Sequence, residues 1–235
     1  TDCGLLVDFC IMHRTLPLHL AVDVPTPITR RMLGAIILAT LLASPARAQL
    51  PPDQQGVVRE VEAYFNGIST LQANFRQTGP DGAVTTGKLY IDRSRSGLRF
   101  DYDPPSKILL VAPGDWRLIF YDGSIQQVNV IPIGETPLGF LLSDEVKLAG
   151  DVTVQAVEER AGEVAVALVR SDEPDQGKVV LTLARAPMRL KSWAVTDAQG
   201  LTTVIELEQV RTGMELDRKL FVWLDPKLFG YPKDD

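Results

Sequence analysis

Residues 71–103 read LQANFRQTGPDGAVTTGKLYIDRSRSGLRFDYD, and their period is two. Leu71, Ala73, Phe75 and Gln77 alternate with Gln72, Asn74, Arg76 and Thr78. Leu89, Ile91 and Arg93 then share one face of a second strand. Leu98, Phe100 and Tyr102 share a face of a third, opposite Arg99, Asp101 and Asp103. Successive side chains of a strand point to opposite faces, so this alternation predicts one buried and one wet face. Asp81-Gly82 is a hairpin turn, and Pro104-Pro105 ends the third strand.

Upstream the period is helical. Val57, Val58, Val61, Tyr64, Phe65 and Ile68 recur on one face, with Arg59, Glu60 and Glu62 on the other. This predicts an amphipathic helix over about 54–67, with Asp53 as N-cap and Asn66-Gly67 at its C-terminal end. Downstream, strands are predicted at Lys107–Ala112, Trp116–Tyr121, Ile125–Val130, 152–159, 163–170, 178–184, 188–196, 201–211 and 219–224. The expected fold is mainly β: about ten or eleven strands in an antiparallel meander. Strands do not alternate with helices, which excludes a Rossmann or α/β-barrel enzyme.

One segment breaks the alternation. Ile131–Leu142 (IPIGETPLGFLL) carries Pro132 and Pro137, and proline is kept out of central strands. A short helix from Pro137 would turn Leu138, Leu141 and Leu142 inward and pack on a face or a mouth of the sheet. A sheet this large curls into a half-barrel with an apolar concave face. Either the helices fill that face as a plain core, or they leave a cavity for an apolar ligand.

The chain has 235 residues, 24 basic and 30 acidic, for a net charge of −6. That balance argues against a nucleic-acid partner, which requires clustered positive charge. Thr29-Arg30-Arg31, the apolar run Met32–Ala43 and Ala46-Arg47-Ala48 have the three-part layout of an export signal, with cleavage expected after Ala48. Twelve apolar residues are too few to span a bilayer, which takes about 20. The basic pair fits either the general secretory route or the twin-arginine route. Two units are therefore expected, a pre-sequence 1–48 and a single domain 49–235.

Cys3, Cys10, His13 and His19 all lie before residue 49. The domain beyond lacks thiols and imidazoles, so no disulfide, His-based catalysis, ordinary zinc site or cofactor is expected. Residues 1–48 hold only four of the basic residues and three of the acids, so the domain is more acidic than the whole. Gln49, rather than Cys, at its first position predicts an exported protein without a lipid anchor.

Three motifs compete with blander readings. Gly82–Lys88 (GAVTTGK) has phosphate-loop spacing, but Leu89 stands where Ser or Thr must hold magnesium, and a strand follows instead of a helix. Asp101 and Asp103 could act as an acid/base pair, yet they lie on the wet face. Arg93 has two readings. Period two points it inward, where an unpaired charge costs several kcal/mol; otherwise the strand has ended and Arg93 is a loop residue in water.

Leu71–Thr78, Gly87–Arg93, Leu98–Pro105, Val111–Asp115, Leu118–Asp122, and Thr136-Pro137-Leu138 with Leu141-Leu142 resemble the LolA family of periplasmic lipoprotein carriers. Asp197–Gly200 and Phe221-Val222-Trp223 match its later strands more loosely, so the resemblance runs from about Val57 to Asp225. It implies an unclosed β-barrel with a helical lid over a hydrophobic cavity. It also implies transport of acylated lipoproteins from an inner-membrane ABC-type release complex to an outer-membrane receptor, or to the outer membrane itself. The implied carrier is a periplasmic monomer without catalytic activity.

The family's gating arginine falls on Arg93, which implies hydrogen bonds from it to lid backbone. The cavity aromatic falls on Phe100. Phe75, Leu89, Ile91, Leu98, Tyr102, Leu118, Phe120, Val128, Leu138, Leu141 and Leu142 complete the expected acyl-binding lining. The family usually places proline after the arginine, where this chain has Ser94-Arg95-Ser96-Gly97. The rival reading is an envelope-stress sensor on the same fold.

Overall fold

A computed structural model describes residues 50–136 and 139–224. The expected export signal and its cleavage point lie outside these residues, as do Pro137 and Leu138.

Helix α1 spans Pro52–Asn66. Proline suits its first turn, because φ is preset and the missing N–H had no helical partner. Asp53 lies within that turn rather than capping it; Pro51 holds the N-cap position. Val57, Val61 and Phe65, four residues apart, form the buried stripe.

Eleven strands follow: β1 Thr70–Thr78, β2 Val84–Asp92, β3 Gly97–Tyr102, β4 Ile108–Pro113, β5 Arg117–Asp122 and β6 Gln127–Pro132, then β7 Val152–Arg160, β8 Glu163–Arg170, β9 Gly177–Arg185, β10 Met188–Asp197 and β11 Thr202–Thr212. They form one antiparallel sheet in the order β6-β5-β4-β3-β2-β1-β11-β10-β9-β8-β7. The sheet is thus two meanders joined where β1 pairs with β11, with Phe75 opposite Leu207. The two edges, β6 and β7, do not pair with each other, so the barrel is unclosed.

A single meander was too simple an expectation. Residues 133–151 cross from one edge of the sheet to the other, and they begin where the prolines interrupt the alternation. Pro132 itself sits in β6, which is possible because β6 is an edge strand. The described part of this crossover holds two 3-10 turns, Ile133–Glu135 and Gly139–Leu142, rather than an α-helix.

The strand predicted at 219–224 is also absent. Arg218–Phe221 is a 3-10 turn, started by the Asp217 side chain accepting a hydrogen bond from the Lys219 N–H. β11 and β1 are already paired on both sides, so the chain leaving β11 meets no free strand edge there. It runs instead over the outer face. Phe221 lies against Gly97, and the Arg99 guanidinium donates to the Leu220 carbonyl.

The inner faces of both meanders share one hydrophobic core with α1 and with Leu141, Leu142, Val146 and Leu148 of the crossover. The concave face is therefore filled. Phe75 stacks edge-on against Phe100 and Tyr102 at 5.2 and 5.0 Å, and Phe100 against Trp193 at 6.3 Å. The Phe75 ring has room because Gly87 is its cross-strand partner; a Cβ there would stand 2.7 Å from the ring and 2.0 Å from the Asp101 carbonyl oxygen.

Candidate functional site: the apolar interior and its fastening

β2 ends at Asp92, and Arg93 opens a 3-10 turn, Arg93–Arg95. The strand has ended, yet Arg93 does not lie free in water. Its Nη1 donates to the carbonyls of Phe65 and Ile68 at 2.5 and 3.3 Å. Its Nε donates to the Leu141 carbonyl at 3.0 Å. Nη2 reaches the carbonyls of Ser143 and Asp144 at 2.7 and 3.2 Å, and more weakly Asn66 Oδ1 at 3.5 Å. One guanidinium thus ties the end of α1 and the crossover to the end of β2. Partial burial lowers its affinity for the proton, and the charge of Asp144 works the other way. Arginine nonetheless remains charged, and its planar fork of five N–H donors suits a cluster of carbonyls.

The turn that aims Arg93 is built on a buried carboxylate. Asp92 is 2% exposed; its Oδ1 accepts from Ser94 Oγ and its Oδ2 from Arg95 Nη1, both at 2.6 Å. The Arg93 N–H donates to the Ser69 carbonyl at 2.8 Å. Ser96 then takes a left-handed conformation, φ +50°, and its Oγ donates to the Leu142 carbonyl at 3.3 Å. Hydrogen bonds to Asp92 hold this turn together.

Further bonds join α1 to the crossover directly. Asn66 Nδ2 donates to the Val146 carbonyl at 2.9 Å, and Asn66 Oδ1 accepts from the Val146 N–H at 2.8 Å. Glu62 accepts from the Leu148 N–H at 2.7 Å. The sequence reading missed both roles. Asn66 reads as a helix end and Glu62 as a wet face, because their partners lie some 80 residues away.

Phe75, Leu89, Ile91, Leu98, Phe100, Tyr102, Leu118, Phe120, Leu141 and Leu142 all lie buried in the common core. Tyr102 keeps its hydroxyl satisfied by donating to Gln77 Oε1 at 2.8 Å. Val128 does not join them. It stands opposite Tyr121, on the outer face, whereas Phe120 faces Asn129 and Leu118 faces Ile131. Directly paired residues share a face, so the inner positions of β6 are Asn129 and Ile131. Leu138 lies outside the described residues.

Asp101 pairs with Arg99 at 2.7 Å on the outer face, and Asp103 accepts from Thr86 Oγ1 at 2.7 Å. GAVTTGK runs from a hairpin turn into β2, without the helix that a phosphate cradle needs. Among the described residues, no helix is long and apolar enough to cross a membrane.

α1 and the crossover fill the concave face, and polar bonds at the rim hold them there. Breaking those bonds would expose the interior without breaking a strand.

The family model described as outer membrane lipoprotein carrier protein LolA matches residues 66–223. An outer-membrane lipoprotein carrier protein of Methylococcus capsulatus is 29% identical over 175 residues, covering 71% of this chain and 82% of its own. One from Legionella pneumophila strain Corby is 25% identical over 175 residues, covering 71% and 85%. Among solved structures, a LolA superfamily protein from Nitrosomonas europaea aligns with a TM-score of 0.39 and 13% identity, over 71% of this chain and 97% of its own.

Proposed function

The chain belongs to the LolA family, and from that premise we propose that it is a periplasmic carrier of acylated lipoproteins. It shelters their acyl chains in the concave interior between an inner-membrane ABC-type release complex and the outer membrane or a receptor there. It performs no chemistry. It reaches the periplasm through an export signal cleaved after Ala48, and it acts as a monomer.

The observation that carries this reading is the Arg93 clasp, a set of polar bonds holding α1 and the crossover over an apolar interior. Burying an acyl chain yields about 0.8 kcal/mol per methylene, so an always-open cavity would bind its cargo too tightly to release it. A carrier needs a closed state that competes with the cargo for the same space. Here the side chains of α1 and the crossover occupy that space, and Arg93 stabilises the closed arrangement.

The test is native mass spectrometry of the protein isolated from its periplasm, with extraction of bound lipid. Triacylated lipoproteins are expected to co-purify. A protein that is reproducibly empty, and that accepts no lipoprotein from a release complex, would instead be a sensor on this fold.

A further inference from the structure

The inner face of the sheet changes character along its first three strands, and it does so at one level. Paired across β1, β2 and β3, the inner rows read Leu71–Ile91–Leu98, Ala73–Leu89–Phe100 and Phe75–Gly87–Tyr102. The next row is Gln77 opposite Thr85. Directly paired residues share a face, so the apolar rows are followed by a polar one. From Leu71 to Gln77 the strand rises about 20 Å, the order of length of an extended long-chain acyl group.

Gln77 is 8% exposed, so its amide is a buried polar group at the foot of the apolar interior. Tyr102 reaches it from the row above, its hydroxyl donating to Gln77 Oε1 at 2.8 Å. The Thr85 hydroxyl, on the same face, is buried and has no hydrogen-bond partner among the described residues. On the other side of β1 this level stays apolar, with Ile205 opposite Gln77 and Trp193 opposite Ile205. The polar step is therefore confined to the β1–β3 side of the interior, just past Phe75 and Phe100.

We propose that Gln77, Tyr102 and Thr85 form a stop at the end of the acyl site on this side of the sheet, and that they set the length of chain the protein accepts. The proposal rests on the carrier reading above. An acyl chain lying along β1–β3 gains about fourfold in affinity for each methylene buried against the apolar rows. A methylene pushed past Phe75 meets the Tyr102–Gln77 bond instead. Breaking that bond, or covering the amide, offsets about what one methylene gains, so further length adds no affinity. The tip of the chain is the part that arrives there. Arg93 and the half-open rim lie beyond the opposite end of β2, where the polar head of the cargo keeps its contact with water.

The test measures the affinity of N-acyl peptides bearing a single saturated chain, by competition with a fluorescent acyl probe. In the parent protein, affinity is expected to rise about fourfold per methylene from about 10 carbons upward and to level off before about 22. Gln77→Leu combined with Tyr102→Phe removes both partners of the bond and leaves apolar side chains of similar shape, which is nearly neutral for folding. In that double variant the rise is expected to continue past the parental break, so that the longest chains bind at least about tenfold tighter than to the parent. Thr85→Val, nearly isosteric, is expected to move the break in the same direction. Thr182→Val, opposite Ala165 on the outer face, is expected to keep the parental profile.

The length profile separates this role from a structural one. A bond that only steadied the fold would, once removed, shift affinity equally at every length and leave the break in place. A layer that bonded to the ester or amide carbonyls of the cargo would, once removed, weaken every length alike. Either uniform shift, or a parental profile without a break, overturns the stop and leaves the carrier standing. A parent protein that binds no acyl peptide of any length overturns both.

Discussion

At the scale of single residues, Arg93 is the side chain that bonds α1, β2 and the crossover together. A hydrogen bond to a charged group contributes about 1.5–3 kcal/mol, less where water competes, and Arg93 makes several at a half-open rim. Arg93→Leu removes them all and leaves the carbonyls to water. Closed-state preference should fall by roughly 2 kcal/mol, or about thirtyfold in the closed-to-open ratio. The expected outcome is retained cargo: a labelled triacylated lipopeptide loads but passes to acceptor vesicles at least about tenfold more slowly. Asp101→Asn lies on the outer face, so its transfer rate should match that of the parent. The opposite pattern, with Asp101→Asn impaired and Arg93→Leu unaffected, would sink the clasp. Gly87→Ala tests packing instead. Its Cβ would collide with the Asp101 carbonyl and the Phe75 ring, and such overpacking costs about 1–3 kcal/mol. Its urea midpoint should fall accordingly.

At the scale of elements, α1 and the crossover are fastened to each other as well as to β2. The Val146 and Leu148 amides donate to the side chains of Asn66 and Glu62, respectively. Amide exchange reports such local opening directly. Asn66→Ala should speed exchange at Val146, and Glu62→Ala at Leu148, each by about tenfold or more, while the amides of β8 and β9 keep their protection. Unchanged exchange at both positions would mean that packing of the crossover against the core, not these side chains, holds it down.

At the scale of the whole molecule, closure depends on one continuous core shared by both meanders. Trp193 sits in that core at 2% exposure, whereas Trp116 is 64% exposed. In a variant carrying Trp116→Phe and Trp223→Phe, acrylamide should barely quench the remaining indole. Adding Arg93→Leu should raise that quenching severalfold, because the open arrangement lets the quencher reach the interior. Equal quenching in the two backgrounds would show that Arg93 does not govern access to the core.

The properties legible in the amino-acid sequence alone are local ones. Period two is written in neighbouring residues, so the alternation from Leu71 to Tyr102 was legible, as were the stripe of α1 and the approximate positions of all eleven strands. The prolines of 131–142 marked where the alternation stops, but not that the chain there crosses to the far edge of the sheet. Alternation states that two sets of side chains face apart; it does not state which set faces the core. Val128 shows why: the turn after β5 places Gln127 opposite Asp122, so Val128 meets Tyr121 rather than Phe120. A turn one residue longer or shorter would have sent it inward. Asp92, Asn66 and Glu62 are likewise polar residues whose partners are set by turns and long-range packing. Those partners emerge in the folded chain, because a hydrogen bond depends on which atoms meet in space and not on their spacing along the chain.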